Sequence, residues 1–235
     1  MKQILLTTTL VLLAGVGIAR GETITIDSIE DGWTGAVGGT GVVYSNKPNP
    51  GYDSVKWGTN IGNGKSAYYW NSRDTTFSVD TNKVFYLGTF THDNHVIGLG
   101  SSITSVNLDF TLGFAGAPTT LSATFLFKHL ETPNATPCGL ESVTVCDDVV
   151  TLANASFNQQ IWYGGQTYYF SLLGFSAGSV PPEDYLQTAE GKKTSANLYA
   201  IITDAPIGVP DGGATLALLG GALMGLGVLR RRLGA

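Results

Sequence analysis

The sequence predicts an all-β protein, an antiparallel β-sandwich of jelly-roll-like form, placed between two targeting segments. Turn-forming residues separate about a dozen short apolar or aromatic segments, roughly every 8–12 residues, as in sandwich folds. Only 13% of the 235 residues are charged, whereas glycine is abundant, which is typical of secreted all-β domains. We therefore divide the chain into a signal peptide (residues 1–21), one β-sandwich domain (22–208) and a sorting segment (209–235).

The strand predictions follow from alternation of polar and apolar residues and from the turns between them. The segment 103–114 is the clearest, because Val106, Leu108 and Phe110 alternate with polar neighbours. Gly164-Gly165 indicates a two-residue hairpin. A glycine-rich loop is expected at 32–41 and a helical turn at 182–191. The predicted strands are 23–26, 42–44, 54–57, 66–70, 75–79, 83–91, 103–114, 119–129, 149–153, 160–163, 166–175 and 197–203.

The N-terminus has the pattern of a cleavable signal peptide. Lys2 precedes an apolar run at 4–18, and small residues follow it. Cleavage is expected after Gly21, with Ala19 as a second site, because signal peptidase reads small residues. An uncleaved signal anchor is the alternative.

The C-terminal segment has three parts in a fixed order. It begins with a short polar motif, Val209, Pro210, Asp211, Gly212 and Gly213. An uncharged run at 214–229 follows, and it ends in a basic cluster, Arg230, Arg231 and Arg232. As a helix, the run would cross most of a bilayer and leave the arginines on the cytoplasmic side. A plain transmembrane anchor is the alternative interpretation.

This order closely resembles the PEP-CTERM sorting signals of exported bacterial proteins, in the variant that begins Val-Pro-Asp. The resemblance implies a protein held in the inner membrane during sorting and processed by an exosortase. It also implies a final place at the cell surface or in the extracellular matrix, usually in bacteria that make exopolysaccharide.

The domain between the two segments is acidic. Residues 22–208 hold 17 Asp and Glu against 8 Lys and Arg, a net charge of −9. Such a domain repels phosphate backbones, so nucleic acid is not an expected partner.

The two cysteines, Cys138 and Cys146, are close in sequence. In an oxidising compartment we expect them to form a disulfide, which would contribute about 2–3 kcal/mol by closing a short loop. Free thiols are the alternative, and a metal site would need further ligands.

A second resemblance lies inside the domain. Thr91, His92 and Asn94 form a Thr-His-x-Asn motif at the end of a predicted strand. Further matching stretches occur, in order, at 58–60, 131–134, 146–147 and 198–203. Together they resemble the Thr-His-x-Asn family of sorted surface proteins, also called the choice-of-anchor K domain. That resemblance implies no established activity.

The sequence offers no catalytic pattern, and we expect no enzyme and no bound metal or cofactor. The polar residues at 91–95 are interpreted as structural, with Thr91 and Asn94 bonding the local backbone. Calcium is the alternative there, through Asp93 and Asn94, or at Asp147 and Asp148. His92 and His95 should point to opposite faces of a strand and not share one zinc ion.

Adjacent aromatic residues suggest one ring of each pair on the surface. They are Trp57, Tyr68, Tyr69, Trp70, Trp162, Tyr163, Tyr168 and Tyr169. Outward rings can stack on sugars, whereas inward rings form the core. The sequence therefore predicts an exported surface protein of structural or adhesive function. An exopolysaccharide-binding module is the alternative, and a secreted carbohydrate-active enzyme is the third hypothesis.

Overall fold

The structure is a computed structural model that describes residues 21–49, 51–62, 64–132, 146–153, 158–176 and 183–207. The predicted signal peptide before Gly21, the sorting segment and Cys138 lie outside these residues. Among the described residues, no helix has the length and apolar character needed to span a bilayer.

Thirteen strands make up the described part of the chain. They are β1 (Thr23–Gly38), β2 (Val43–Ser45), β3 (Asp53–Trp57), β4 (Ser66–Ser72), β5 (Phe77–Asp80), β6 (Val84–Asp93), β7 (Ile103–Phe114), β8 (Leu121–Leu130), β9 (Asp148–Leu152), β10 (Gln159–Tyr163), β11 (Gln166–Ser176), β12 (Tyr185–Thr188) and β13 (Lys193–Thr203).

The strands form two antiparallel sheets, which confirms the predicted all-β sandwich. Sheet A has six strands in the order β12-β9-β8-β7-β1-β5, and sheet B has seven in the order β10-β11-β13-β6-β4-β3-β2. Neighbouring strands are often consecutive in the chain, as in β7-β8-β9 and β2-β3-β4. Along the chain, β5 of sheet A comes after β4 and before β6, which both belong to sheet B. The chain therefore crosses from one sheet to the other more than once.

Two hairpins confirm the local predictions. β7 has the bounds that the alternation at 103–114 indicated, and it pairs with β8 from Leu112 with Leu121 to Ser105 with Lys128. β10 and β11 are joined by Gly164-Gly165, with Tyr163 paired to Gln166. Both glycines have positive φ, 59° and 84°, which a two-residue turn requires.

The core between the sheets is largely aromatic. Phe90 of sheet B stacks on Phe127 of sheet A, with ring centroids 5.2 Å apart. Trp33 of sheet A contacts Phe127 at 5.5 Å and Tyr68 of sheet B at 5.7 Å. Trp33, Trp57 and Trp70 are all fully buried. Burial of such large rings is a dominant stabilising contribution to a fold.

The expected loop at 32–41 is wrong over its first seven residues, because β1 continues to Gly38. β1 pairs with β7 from Ile26 to Gly38, and register shifts accommodate the glycines. The side chain of Asn46 lies so close to Gly32 that a Cβ at this position would be 2.8 Å from Asn46 Nδ2. Glycine at this position therefore allows a loop to pack closely on β1, and it does not end the strand.

The helical turn expected at 182–191 is also wrong where the structure describes it. Tyr185–Thr188 is strand β12, which pairs with β9 at the edge of sheet A. The partner strand satisfies the backbone donors and acceptors of this segment, so pairing overrides the weak local helical signal.

Candidate functional site

The candidate site begins with polar residues at inward positions of three strands. On β8, His129 follows Phe125 and Phe127 in the alternation that faces the core. On β6, His92 follows Phe90 in the same way, and on β9, Asp148 precedes Val150. His92 and Asp148 have no exposed surface, and His129 is 6% exposed.

His129 is oriented by contacts through both ring nitrogens. Its Nδ1 lies 2.6 Å from the hydroxyl of Tyr68, on the opposite sheet. Its Nε2 lies 3.3 Å from Oε2 of Glu131 and 3.7 Å from Oδ2 of Asp148. Burial, followed by the charges of Asp148 and Glu131, raises the pKa of Tyr68 well above its usual range, so the phenol stays neutral.

His92 lies against the same cluster but lacks polar contacts. Its ring centroid is 5.3 Å from that of His129 and 5.1 Å from that of Tyr68. Neither ring nitrogen has a hydrogen-bond partner among the described residues. Burial, and then the neighbouring His129, lowers the pKa of His92 well below its usual range. A neutral, unpaired imidazole in the core costs roughly 1–3 kcal/mol for each unsatisfied group.

Asp148 has one engaged oxygen and one open one. Oδ1 accepts hydrogen bonds from the backbone N–H of Thr132 at 2.9 Å and from its hydroxyl at 3.3 Å. Oδ2 has no hydrogen-bond partner within the described part of the chain. Burial and the charge of Glu131 raise the pKa of Asp148 to about 8, although the Thr132 hydrogen bonds oppose the shift.

His92, His129 and Asp148 together form a set of three potential metal ligands. One donor atom from each residue lies within 4.8 Å of the donors of the other two. The set joins β6 of sheet B to β8 and β9 of sheet A. Imidazole nitrogen and carboxylate oxygen are ligands that suit zinc and related divalent metals.

A second polar site lies at the next inward position of β4, beside Trp70. The indole Nε1 donates to Oδ2 of Asp31 at 3.0 Å, and Asp53 is paired with Trp70 in the strand register. Burial, then a hydrogen bond with Asp31, raises the pKa of Asp53 to about 7, and the backbone N–H of Lys47 opposes the shift. Asp31 also borders a groove of about 560 Å³ that opens to solvent.

The Thr-His-x-Asn motif is divided between different environments. Thr91 Oγ1 bonds Ser195 Oγ at 2.7 Å, and Asn94 Nδ2 donates to the carbonyl of Thr188 at 3.2 Å. The expectation that both bond the local backbone is therefore wrong, because the partners lie on β13 of the same sheet and on β12 of the other sheet.

The two histidines of this stretch, His92 and His95, lie in different environments, as the alternation predicted. His92 enters the core, whereas His95 lies beyond the end of β6 and contacts Oδ1 of Asp93 at 3.1 Å. Oδ2 of Asp93 contacts Lys193 Nζ at 2.8 Å. Both carboxylate oxygens thus have a side-chain partner, and calcium binding at this turn stays an untested alternative.

The cystine segment is only partly described. Cys146 is buried, and its carbonyl accepts a hydrogen bond from Thr132 Oγ1 at 2.9 Å. Cys138 lies outside the described residues, so the Cys138–Cys146 disulfide stays a prediction. Asp147 and Asp148 are both buried, and the second of them belongs to the histidine cluster.

The paired aromatic residues point alternately into the core and outward. Tyr68, Trp70 and Tyr168 are buried, whereas Trp162 is 53% exposed. Tyr69 and Tyr169 are half-buried, on the other side of the sheet. The outer face of sheet B therefore presents tyrosines among threonines and asparagines, with Tyr86 and Tyr199 rings 6.4 Å apart.

Sequence reasoning missed His129 as part of the site, and it did not join Asp148 to His92. A usable signal was present, because each residue occupies an inward position of an alternating strand. A polar residue at such a position needs a partner inside the sandwich. The identity of that partner depends on how the sheets stack.

One family model matches the chain. It is described as the VPDSG-CTERM motif and covers residues 208–233. The match includes the polar motif, the apolar run and the three arginines, so it supports the predicted C-terminal sorting signal. This signal indicates an exported, surface-sorted protein and is consistent with processing by a sorting enzyme. No curated protein matches the chain, and the Thr-His-x-Asn resemblance stays a prediction.

Proposed function

We propose that the sandwich is a non-catalytic structural or adhesive module, exported and then delivered to the cell surface or its matrix by an exosortase-type enzyme. The observation that carries this proposal is the sorting motif at residues 208–233, which follows a two-sheet β-sandwich. Most large rings of the sandwich are committed to its core, as expected of a stable surface module.

The sorting step is tested by changing the polar motif in the producing bacterium. We expect the double variant Pro210→Ala, Asp211→Ala to accumulate in the inner membrane fraction, whereas the wild-type protein is detected at the surface. Protease treatment of intact cells, followed by immunoblotting, measures the surface fraction. Equal surface fractions for the two proteins would contradict recognition of this motif.

An exopolysaccharide-binding role is the second proposal, and the outer face of sheet B favours it. Tyr69, Tyr86 and Tyr199 are half-buried there, and polar groups lie between them. Thr89 Oγ1 lies 2.8 Å from the Tyr86 hydroxyl and donates to Asn197 Oδ1 at 3.1 Å. Such a mixture of rings, hydroxyls and amides suits stacking and hydrogen bonding to sugars.

Co-sedimentation with purified exopolysaccharide separates the two roles. If the module binds sugars on this face, Tyr69→Ala and Tyr199→Ala should each weaken retention about tenfold, the effect of losing about 1.4 kcal/mol. Tyr185→Ala is the matched control, because this exposed tyrosine lies on β12 of sheet A. Unchanged retention in both test variants would exclude the face, and no retention of wild type would leave the structural role.

A carbohydrate-active enzyme is the least supported of the three hypotheses. Its best candidates are Asp31, which borders the groove that opens to solvent, and the buried Asp53, whose pKa is raised to about 7 by burial and by Asp31. Glycosidases need two carboxyl groups on either side of the scissile bond, about 5 Å or more apart. Asp53 is not among the residues that line the groove. An assay of reducing ends released from the same exopolysaccharide tests this, and release that is lost in Asp31→Asn would contradict the non-catalytic proposal.

A further inference from the structure

The buried cluster of His92, His129 and Asp148 has the composition of a metal site. We propose that these three residues bind one divalent transition-metal ion of the zinc class between the two sheets. Their donor atoms lie within 4.8 Å of one another. Tetrahedral zinc with bonds of about 2.0–2.1 Å needs ligand atoms about 3.3 Å apart, so small side-chain rotations would close the set around the ion.

The surrounding residues orient two of the ligands as a metal requires. Metal-binding histidines usually give their second ring nitrogen to a hydrogen bond, and ligating carboxylates are themselves hydrogen-bonded. Nδ1 of His129 contacts the Tyr68 hydroxyl at 2.6 Å, which leaves Nε2 for the ion. Thr132 holds Oδ1 of Asp148, which leaves Oδ2 for the ion. Oδ2 of Asp148 lies 3.7 Å from Nε2 of His129, whose other contact is Oε2 of Glu131 at 3.3 Å.

His92 supplies the second independent observation. It is fully buried, and both of its ring nitrogens lack hydrogen-bond partners among the described residues. Buried polar atoms of this kind are rare in folded proteins and call for an explanation such as an ion. One nitrogen of His92 coordinating the ion would remove much of this deficit.

The charges around the cluster favour a cation. Glu131 and Glu190 both act on Asp148 through their charges, and a divalent ion would convert this repulsion into attraction. Oε2 of Glu131 lies 3.3 Å from Nε2 of His129. Glu131 is therefore placed to provide the fourth ligand.

The site is structural in character. Closed, buried sites with four protein ligands stabilise folds, whereas catalytic zinc keeps one position open. The ion would link His92 on sheet B with His129 and Asp148 on sheet A. Calcium does not fit this donor set, because it prefers six to eight oxygen ligands. From the sequence we expected no metal here, and a measurement of bound zinc decides between that expectation and a zinc-class ion.

The test uses the full-length protein, purified in mild detergent with a tag that contains no histidine. The protein is unfolded, stripped of metal with a chelator and refolded with Zn²⁺ as the sole added metal. Elemental analysis then gives the zinc content, and X-ray absorption gives the ligands. We expect one zinc ion per chain with nitrogen and oxygen ligands at about 2.0–2.1 Å, and a higher unfolding temperature than without zinc.

Three variants make the test specific. His92→Phe keeps a ring against Trp57 but removes the nitrogens, and Asp148→Asn keeps the shape of the carboxylate. Each should lower zinc affinity at least tenfold, a loss typical of disrupted metal sites. His95→Gln is the matched control and should bind zinc like wild type, because His95 lies outside the cluster.

Several outcomes would overturn the proposal. Wild type that refolds, as judged by tryptophan fluorescence, yet retains no zinc above the buffer background would do so. A folded His92→Phe variant that binds zinc with the same affinity as wild type would do so too. Sulfur ligands in the absorption spectrum would place the metal on the cysteines. If His92→Phe or Asp148→Asn fails to fold, the zinc content and the metal ligands of wild type and of His95→Gln still test the proposal.

Discussion

Two polar sites lie between the sheets, at successive inward positions of β4, and they satisfy their buried groups differently. Beside Trp70, Asp31 accepts the indole N–H, the backbone N–H of Lys47 donates to Oδ1 of Asp53, and a groove reaches Asp31 from solvent. Beside Tyr68, His92 and Oδ2 of Asp148 have no hydrogen-bond partner among the described residues and are sealed from solvent. Each site contains a carboxyl group with a raised pKa, Asp53 in one and Asp148 in the other. Only the histidine site adds unpaired imidazole nitrogens, which are ligands for transition metals, and we therefore assign an ion only to that site.

The largest expected effect concerns the aromatic layer that both sites depend on. Phe90→Ala should lower the free energy of unfolding by about 3–5 kcal/mol, because it leaves a cavity against Tyr68, Phe127 and Phe175. Chemical denaturation measures this loss. Thr91→Ala, the next residue on the outward face, is the control. A comparable loss in both variants would mean that packing between the sheets does not dominate stability.

The second prediction concerns pH and the carboxylate site. The pKa of Asp53 is raised from 3.8 to about 7 in the folded protein, so the folded state holds its proton more tightly than the unfolded state. This contribution to stability is complete below pH 3.8 and is lost as pH rises through about 7. The slope approaches 1.4 kcal/mol per pH unit, and the total is about 2–4 kcal/mol.

Asp53→Asn should flatten this part of the pH profile, measured by denaturation between pH 4 and pH 8 with a chelator present. Asp27→Asn is the control, because Asp27 is exposed. Asp148, with its pKa of about 8, contributes a slope of the same sign in both proteins, so the difference between wild type and Asp53→Asn isolates Asp53. An equal slope in the two proteins would contradict the raised pKa of Asp53.

The third prediction addresses the histidine site. Tyr68→Phe removes the hydroxyl that lies 2.6 Å from Nδ1 of His129 and leaves that nitrogen unpaired in the core. We expect a loss of about 1–3 kcal/mol in the free energy of unfolding. Tyr69→Phe is the matched control, with the same atom removed from the neighbouring outward ring. Equal stability of both variants would show that the hydroxyl does not position His129.

The smallest effect is expected at the surface. Lys193 pairs with Asp93, but its side chain is 63% exposed. Lys193→Ala should therefore change the free energy of unfolding by less than about 1 kcal/mol, and added salt should reduce the difference. A loss as large as that of Tyr68→Phe, insensitive to salt, would instead place this ion pair among the main contributions to stability.

Much of the fold was predictable because alternation reports which side of a strand is buried. Segment 103–114 was assigned as β7 with the bounds that the structure shows, and Gly164-Gly165 formed the expected hairpin turn. The predictions failed where pairing with a distant strand decided the local structure. β1 runs through its glycines along β7, and β12 is a strand because β9 offers it an edge.

The sequence by itself determined that the domain is a β-sandwich, which residues of each long strand face the core, and the order of parts in the sorting segment. These features depend on local periodicity and composition. His92, His129 and Asp148 lie at inward positions of alternating strands, but sequence reasoning did not connect them. Only the tertiary structure brought the three together, because they lie on three strands of two sheets. No local pattern records which inward positions meet when two sheets stack, so the candidate metal site exists only once the chain has crossed between them.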